Sequence, residues 1–214
     1  MGDEKPRSVF SGCDNFLSRS YCQGLKNSRS GFLVVSREFF ILCGSKFLGV
    51  RKHTVYVDQS GKVGNNSMHT GLAFSDEKGH NFTNAVFIHK RHKKRLKKLG
   101  KQDLGSATSY KYKLFSAGVY MLIQNDLHRI KEVRIDKEYE GKKNMIRTYL
   151  YNFIKDNSNV ARDKYPKIET CMVHDEVNSP QCHELAYDVR EKNLEHFLES
   201  DLGFLKYLVL RSNK

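Results

Sequence analysis

Five short β-rich runs, three of them close together and two set among helical stretches, constrain the fold of this chain more than any other feature. They lie at residues 54–58, 70–75, 83–89, 132–136 and 168–173. Runs joined by short turn-rich links favour antiparallel pairing, whereas strands that alternate with helices favour parallel crossovers. The sequence therefore predicts a sheet that contains both kinds of strand pairing.

Apolar residues at helical spacing fill the intervals between the later runs. Residues 109–127 predict a core-packing helix, and residues 144–154 predict an amphipathic one. Ser179 and Pro180 fit the N-cap and first position of a helix that extends to about residue 191. The tail at 194–210 predicts one more helix, or a helix and a strand. The predicted fold is α/β, with the order β-β-β-α-β-α-β-α and a mixed five-stranded sheet flanked by helices.

Length and composition suit one folded domain with an extension. The chain has 214 residues, of which 39% are hydrophobic, and this is enough for a core of ordinary size. Residues 1–52 lack clean periodicity and are predicted to be a basic N-terminal extension, formed as a strand pair, a helix or a loosely attached segment. Residues 53–214 are predicted to form the domain.

Three features favour a cytoplasmic location. The most apolar early stretch is interrupted by Arg37, Glu38 and Lys46, so it does not predict a membrane span. The first residues include acids where a signal peptide has basic residues. The five cysteines form no CxxC pair, which argues against a zinc ribbon and suits free thiols in a reducing compartment.

The net charge of +13 favours a polyanionic partner, and we predict nucleic acid, whether DNA, RNA or a hybrid, rather than a membrane. A block of eight basic residues without an acid lies at 90–101. Such residues bind phosphates without reading sequence. The alternatives are a solvated helix face and a contact with an acidic protein. The predicted nucleic-acid-binding residues are Lys90, Arg91, Lys93, Lys94, Arg95, Lys97, Lys98 and Lys101.

Asp58 and Asp136 each end a β-rich run and precede a turn. Ligands of α/β proteins bind outside the carboxyl ends of the strands. Two carboxylates there would make a hard-oxygen site for Mg²⁺ or Mn²⁺, ions that promote phosphodiester cleavage. The alternative is that each Asp only ends its strand and starts a turn. The chain has no P-loop, HExxH or GxSxG motif, which disfavours P-loop nucleotide hydrolysis and serine hydrolysis.

Two segments around these acids resemble the ribonuclease H-like superfamily, which includes ribonucleases H, Holliday-junction resolvases and transposase cores. YVDQSG at 56–61 resembles the first-strand motif, in which an Asp is followed by a hairpin. VRIDKE at 133–138 resembles the fourth-strand motif, which carries a second Asp. The resemblance covers about residues 53–190. It implies a divalent-metal-dependent nuclease whose further acids come from helices.

The chain departs from the bacterial ribonuclease H pattern, which places a Glu on the helix after the third strand. The predicted helix at 109–127 has no Glu and only Asp126 near its end. The third acid is therefore sought elsewhere. Candidates are Glu138, on the same side of a strand continuing past Asp136; Asp175, after the fifth strand; and Glu184 and Asp188, one turn apart on the helix from which resolvase-like members take late acids.

The hypothesis is a nucleic-acid-binding, divalent-metal-dependent nuclease. In it, His183 moves a proton or protonates the leaving group beside the metals. The alternative is a non-catalytic nucleic-acid-binding module with a degenerate ribonuclease H-like site. The predicted catalytic residues are Asp58, Asp136, Glu138, His183 and Asp188, and the predicted metal ligands are Asp58, Asp136, Asp175 and Glu184.

Overall fold

The structure is a computed structural model that describes residues 52–77, 82–103, 107–173 and 181–211. The predicted N-terminal extension, apart from Lys52, lies outside these residues. The strands are β1 (His53–Ser60), β2 (Thr70–Asp76), β3 (Thr83–Ile88), β4 (Ile130–Asp136), β5 (Lys167–Cys171) and β6 (Leu198–Glu199). The helices are α1 (Lys90–Asp103), α2 (Ala107–Ile123), α3 (Lys143–Asn157), α4 (Cys182–Glu191) and α5 (Leu202–Arg211), with short 3-10 turns at Leu127–Arg129 and Arg162–Lys164.

The strands form one mixed six-stranded sheet in the order β5-β4-β1-β2-β3-β6. β1, β2 and β3 pair antiparallel, whereas β4 joins β1, and β5 joins β4, in parallel. The predicted α/β class and mixed sheet are confirmed, but the predicted count of five strands is wrong. β6 pairs in parallel with Val86 and Phe87 of β3. β6 and α5 lie in the tail at 194–210, where one of the two predicted alternatives is a helix and a strand. The two residues of β6 are too few for an alternating pattern to locate the strand.

The edge of β3 that β6 leaves uncovered carries a side-chain cap. Oδ1 of Asn84 accepts the backbone N–H of Ala85 at 2.8 Å, and Nδ2 of Asn84 donates to the carbonyl of Leu122 at 2.8 Å. Asn84 thereby joins β3 to the end of α2.

The basic block and the apolar stretch that follows it are two separate helices. α1 contains the basic block, and α2 corresponds to the predicted helix at 109–127, so the observed order is β-β-β-α-α-β-α-β-α-β-α. The predicted order lacks α1 because Leu96 and Leu99 are the only large apolar residues of the block, too few for a periodic signal. The predicted N-cap Ser179 lies outside the described residues. None of the helices within the described ranges is long and apolar enough to cross a membrane.

Alternation along β1 divides its side chains between the two faces of the sheet. Val55 and Val57 are fully buried in the main core, to which α2, α3 and α5 contribute. Tyr56 and Asp58 point to the opposite face, where α4 packs on β1, β2 and β3. The period of the strand therefore places the carboxylate of Asp58 beneath α4.

Gly71 lets α4 lie directly against β2. A Cβ at this position would collide with the carbonyl oxygen of Ala186, on α4. It would also come within 2.8 Å of the amide nitrogen of Arg190. Because glycine lacks a Cβ, the two backbones can approach this closely. This contact fixes the height of α4 above the sheet.

Candidate metal centre and nucleic-acid interface

Asp58 is a buried carboxylate near the carboxyl end of β1. Its side chain is 2% exposed, and its Oδ2 lies 2.7 Å from Nδ1 of His183 on α4. Its Oδ1 accepts the backbone N–H of Gln59 at 2.6 Å. Contacts to both oxygens fix the orientation of this carboxylate, as a site that performs chemistry requires.

Asp136 lies beside Asp58 because β4 runs parallel to β1. The register pairs Val57 with Ile135, so the next residue on each strand is an Asp. Oδ1 of Asp136 accepts the backbone N–H of Val173 at 3.0 Å. The structure thus brings the two acids together at the carboxyl ends of neighbouring strands.

Glu138 joins these two acids, although not by the route that the sequence suggests. The expectation of a strand that continues to Glu138 is wrong, because β4 ends at Asp136. The N–H of Glu138 donates to the carbonyl of Asp136 at 2.8 Å, so a tight turn carries the side chain. One ligand oxygen from each of Asp58, Asp136 and Glu138 lies within 4.8 Å of the others. These three acids are the carboxylate cluster.

Tyr139 and Lys62 hold the turn that carries Glu138. The hydroxyl of Tyr139 lies 3.3 Å from Nε2 of Gln59, and its ring packs edge-on against Tyr112. Burial raises the pKa of Tyr139 to about 12, so this hydroxyl stays protonated at neutral pH. Nζ of Lys62 lies 3.7 Å from Oε2 of Glu138. Sequence reasoning misses both residues, because a Tyr after an acid and a Lys in a turn are common.

The carboxylate cluster suits a hard divalent cation. Mg²⁺ and Mn²⁺ prefer carboxylate oxygens. Three like charges this close repel one another unless a cation lies among them. Within the described ranges, no other group of three or more acidic, His or Cys side chains has comparable geometry. The donor set therefore fits Mg²⁺ or Mn²⁺, which Asp58, Asp136 and Glu138 would hold.

α4 brings His183 to the cluster but keeps its two predicted acids away from it. The side chain of His183 is 55% exposed while its Nδ1 contacts Asp58. Glu184 and Asp188 line a shallow cleft of about 290 Å³ on this helix, together with His183. Neither acid belongs to the carboxylate cluster. The remaining candidate, Asp175, lies outside the described residues.

Seven of the eight predicted nucleic-acid-binding residues have described side chains, and Lys93 differs from the others in being fully buried. Its Nζ donates to Oγ1 of Thr70 at 2.7 Å and to the carbonyl of Lys62 at 3.2 Å. Burial lowers the pKa of Lys93 to about 8. Lys93 thus ties α1 to β2 instead of presenting a charge to a ligand. Of the others, Lys90 is half-buried, and Arg91, Lys94, Arg95, Lys97 and Lys98 are exposed; the side chain of Lys101 lies outside the described part.

The amino end of α1 lies at the same edge of the sheet as the carboxylate cluster. β1 and β3 run in the same direction because both pair antiparallel with β2. The carboxyl end of β3, where α1 begins, is therefore level with the carboxyl end of β1. The bond from Lys93 to the carbonyl of Lys62 joins these two ends. The carboxylate cluster and the amino end of α1 therefore both lie at the carboxyl ends of β1 and β3.

Comparisons with known proteins give no relative: no family model, no curated protein and no solved structure matches this chain. The function of the chain is therefore inferred from its sequence motifs, its fold and the geometry of its carboxylate cluster.

Proposed function

We propose that this chain binds nucleic acid and cleaves phosphodiester bonds with divalent metal held by Asp58, Asp136 and Glu138. The observation that carries the proposal is the set of three carboxylates with ligand oxygens within 4.8 Å of one another. Bound Mg²⁺ or Mn²⁺ would supply activation of a water molecule and stabilisation of the leaving oxygen.

The order of the strands supports a ribonuclease H-like fold as part of this proposal. β1 carries Asp58 and is followed by the antiparallel strands β2 and β3. β4 then pairs in parallel with β1 and brings Asp136 to its side. This is the arrangement that the motifs at 56–61 and 133–138 imply. β6 and the separate helix α1 are additions to it.

In this proposal, His183 moves the proton. Its Nδ1 lies 2.7 Å from Asp58, and more than half of its side chain reaches solvent at the edge where a ligand would lie. Imidazole is the side chain that most often serves in proton transfer. Asp58 orients the ring, which then accepts a proton from the attacking water or donates one to the leaving oxygen.

The distribution of charge supports nucleic acid as the substrate. The exposed cations of α1 begin at the edge of the sheet that carries the acids. A polyanion bound to α1 would therefore be held near the carboxylate cluster. The salt dependence of binding separates this partner from an acidic protein, because contacts with phosphates release condensed counterions.

The substitution Asp58→Asn tests the proposed activity. It keeps the size of the side chain and removes its charge, so metal-dependent cleavage of DNA, RNA or a hybrid is expected to fall to the uncatalysed background while binding is kept. Asp163→Asn is the control, since Asp163 is an exposed acid in a 3-10 turn. Cleavage by D58N at the wild-type rate would contradict the proposal. So would wild-type protein that cleaves none of the three substrates with Mg²⁺ or Mn²⁺.

A non-catalytic nucleic-acid-binding module is the second candidate, and the contact between His183 and Asp58 favours it. A hydrogen bond from Nδ1–H of His183 would satisfy Oδ2 of Asp58 without a metal ion. Calorimetric titration with Mn²⁺ distinguishes the two candidates. The nuclease binds the ion through Asp58 and loses affinity in D58N, whereas the module shows no difference between the two proteins.

A further inference from the structure

His69 and His89 lie side by side at the edge of the sheet where α1 begins. Their ring centroids are 4.6 Å apart in an edge-on arrangement, and His69 also stacks on Phe87 at 4.9 Å. His69 directly precedes β2 and His89 directly follows β3. Both side chains are partly exposed, so a ligand can reach them.

Backbone amides of α1 fix the tautomer of both rings. The N–H of Lys90 donates to Nδ1 of His69 at 3.4 Å, and the N–H of Arg91 donates to Nδ1 of His89 at 3.0 Å. A neutral imidazole that accepts at Nδ1 carries its proton on Nε2. Each ring therefore offers an Nε2–H donor. These two amides of α1 are occupied by the rings, so a ligand would meet the imidazoles first.

Cationic side chains of α1 and of Lys192 lie around the pair. Nζ of Lys192, directly after α4, lies 4.6 Å from the ring centroid of Phe87, on which His69 stacks. Burial and then the neighbouring His89 and Lys90 lower the pKa of His69. The pair thus stays neutral at neutral pH within a positive environment.

The other charged and titratable groups around the pair are Arg91, His92 and the ion pair between Lys192 and Glu199. Burial and then Arg91 and His92 lower the pKa of His89. His92 lies 3.3 Å from Oγ of Ser200, and Lys192 pairs with Glu199 of β6 at 3.0 Å. The ion pair is exposed on both sides, at 50% and 66% of the two side chains, so it is weak and solvent competes with it.

We propose that His69, His89 and Lys192 form a phosphate-binding position, which holds a nucleic-acid strand at the same end of the sheet as the carboxylate cluster. The inference rests on the nucleic-acid-binding part of the proposed function. Two neutral N–H donors and one ammonium match the acceptor oxygens and the negative charge of a phosphodiester. A transition metal fits less well, because among the described residues these histidines are not part of a group offering three ligand atoms to one ion.

α4 sets the spacing between this position and the cluster. His183 contacts Asp58 near one end of the helix, and Lys192 lies over Phe87 just beyond the other. Nine residues at a helical rise of about 1.5 Å span about 14 Å. Phosphates of one strand advance by about 3.4 Å along a duplex axis. A duplex whose axis lay parallel to α4 would therefore place about four nucleotides of one strand between the two positions.

Inorganic phosphate is the first probe, because it tests the position without a nucleic acid. Phosphate titrated into the full chain at pH 8 should shift the NMR signals of the His69 and His89 rings and leave that of His128 in place. His128 is exposed in the turn before β4, at the opposite edge of the sheet. Shifts that occur at pH 6 but not at pH 8 would overturn the inference, because phosphate binding would then require protonated imidazolium rings.

A labelled 12-nucleotide single-stranded DNA, without divalent metal, is the second probe. The variant H89N/K192M should bind it about tenfold more weakly. K192M alone should lower the slope of log affinity against log salt by about 0.7, and K192R should restore it. Asn at position 89 is a good N-cap, so α1 keeps its first turn. H128N/K131M, altered at the opposite edge, is the matched control.

The two probes separate the failure of this inference from the failure of the proposed function. Phosphate shifts in a chain that binds no nucleic acid would reject the nucleic-acid function and, with it, the role of this position in holding a strand. No phosphate shift, together with equal DNA binding by wild type and H89N/K192M, would overturn the inference alone. The cleavage test with D58N would then stand unchanged.

Discussion

The carboxylate cluster and helix α1 face the same edge of the sheet but are held in opposite ways. Asp58 is buried, and contacts from β1 and α4 fix both of its oxygens. α1 exposes most of its charges, and its fully buried residues Lys93 and Leu96 attach it to the rest of the domain. Chemistry requires a fixed geometry, whereas affinity for phosphates grows with the number of charges. Changes at the cluster should therefore abolish activity at full affinity, and changes on α1 should reduce affinity by increments.

Gly71→Ala should have the largest effect, because it should abolish cleavage at the carboxylate cluster and leave binding by α1 in place. The new Cβ would collide with the carbonyl of Ala186 and push α4, with His183, away from Asp58. Overpacking of this kind costs about 1–3 kcal/mol of unfolding free energy, measurable by urea unfolding. Cleavage should be lost while α1 still binds nucleic acid.

Gly64→Ala is the matched control for that substitution. A Cβ at Gly64 would meet only the side chain of Lys111, at 3.5 Å, which is ordinary van der Waals contact. Stability and cleavage should stay within error of the wild type. Equal losses in G64A and G71A would show that close packing of α4 on β2 is not what the site depends on.

Glu138→Gln should weaken metal binding and leave the fold intact. It removes one of the three charges of the cluster. The control is Glu140→Gln, because Glu140 lies two residues further on and its side chain is 89% exposed. Loss of a ligand should lower the affinity for Mn²⁺ by at least about tenfold, since loss of an outer partner alone costs that much. Calorimetric titration measures the difference. Identical affinities in E138Q and E140Q would remove Glu138 from the cluster.

Lys93→Met should change how stability depends on pH. Burial lowers the pKa of Lys93 from 10.5 to about 8, so between these values the unfolded chain binds a proton that the folded chain lacks. The stability of the wild type therefore gains about 1 kcal/mol per pH unit from this residue as pH rises above 8. K93M should lack this gain in urea unfolding between about pH 7.5 and 9.

Other buried groups cancel in that comparison. Burial raises the pKa of Cys182 to about 12 and that of Tyr139 to about 12, which lowers stability at high pH in both proteins alike. The exposed neighbour Lys94 offers the control Lys94→Met, which should keep the wild-type slope. A K93M slope equal to that of the wild type would mean that Lys93 stays charged in the folded chain.

Lys98→Met should have the smallest effect. Removal of one exposed charge from α1 should lower the salt slope of single-strand binding by about 0.7 and leave cleavage of bound substrate unchanged. Lys155→Met, an exposed lysine on α3, is its counterpart. If both substitutions lower the slope equally, binding reflects net charge and α1 is not a distinct surface.

The pairing of Asp58 with Asp136 could be predicted from the sequence because it depends only on two strand patterns and their order. Parallel neighbours carry their carboxyl ends to one edge, so acids that end such strands meet. From the sequence, Glu138 could be identified only as an acid close to Asp136 in the chain. The turn that carries it depends on the hydroxyl of Tyr139 reaching Gln59, 80 positions away in the chain.

Local sequence does not reveal what distinguishes Lys93 from its basic neighbours. It is one of eight cations in the block, and its burial depends on acceptors at Thr70 and Lys62, which are 23 and 31 positions away. The pairing of His69 with His89 likewise depends on the register of β2 and β3, which sets Thr70 opposite Ile88. Such contacts arise only when separate elements pack.

The short cover that β6 gives to β3 has a consequence for how copies of this chain behave when crowded together. An edge strand with open amides is a template on which another molecule can add a strand and start an aggregate. β6 protects Val86 and Phe87, and just beyond its reach Asn84 occupies the N–H of Ala85 with its own side chain. Where β6 ends, the side chain of Asn84 therefore occupies an N–H on which the strand of another molecule could otherwise pair.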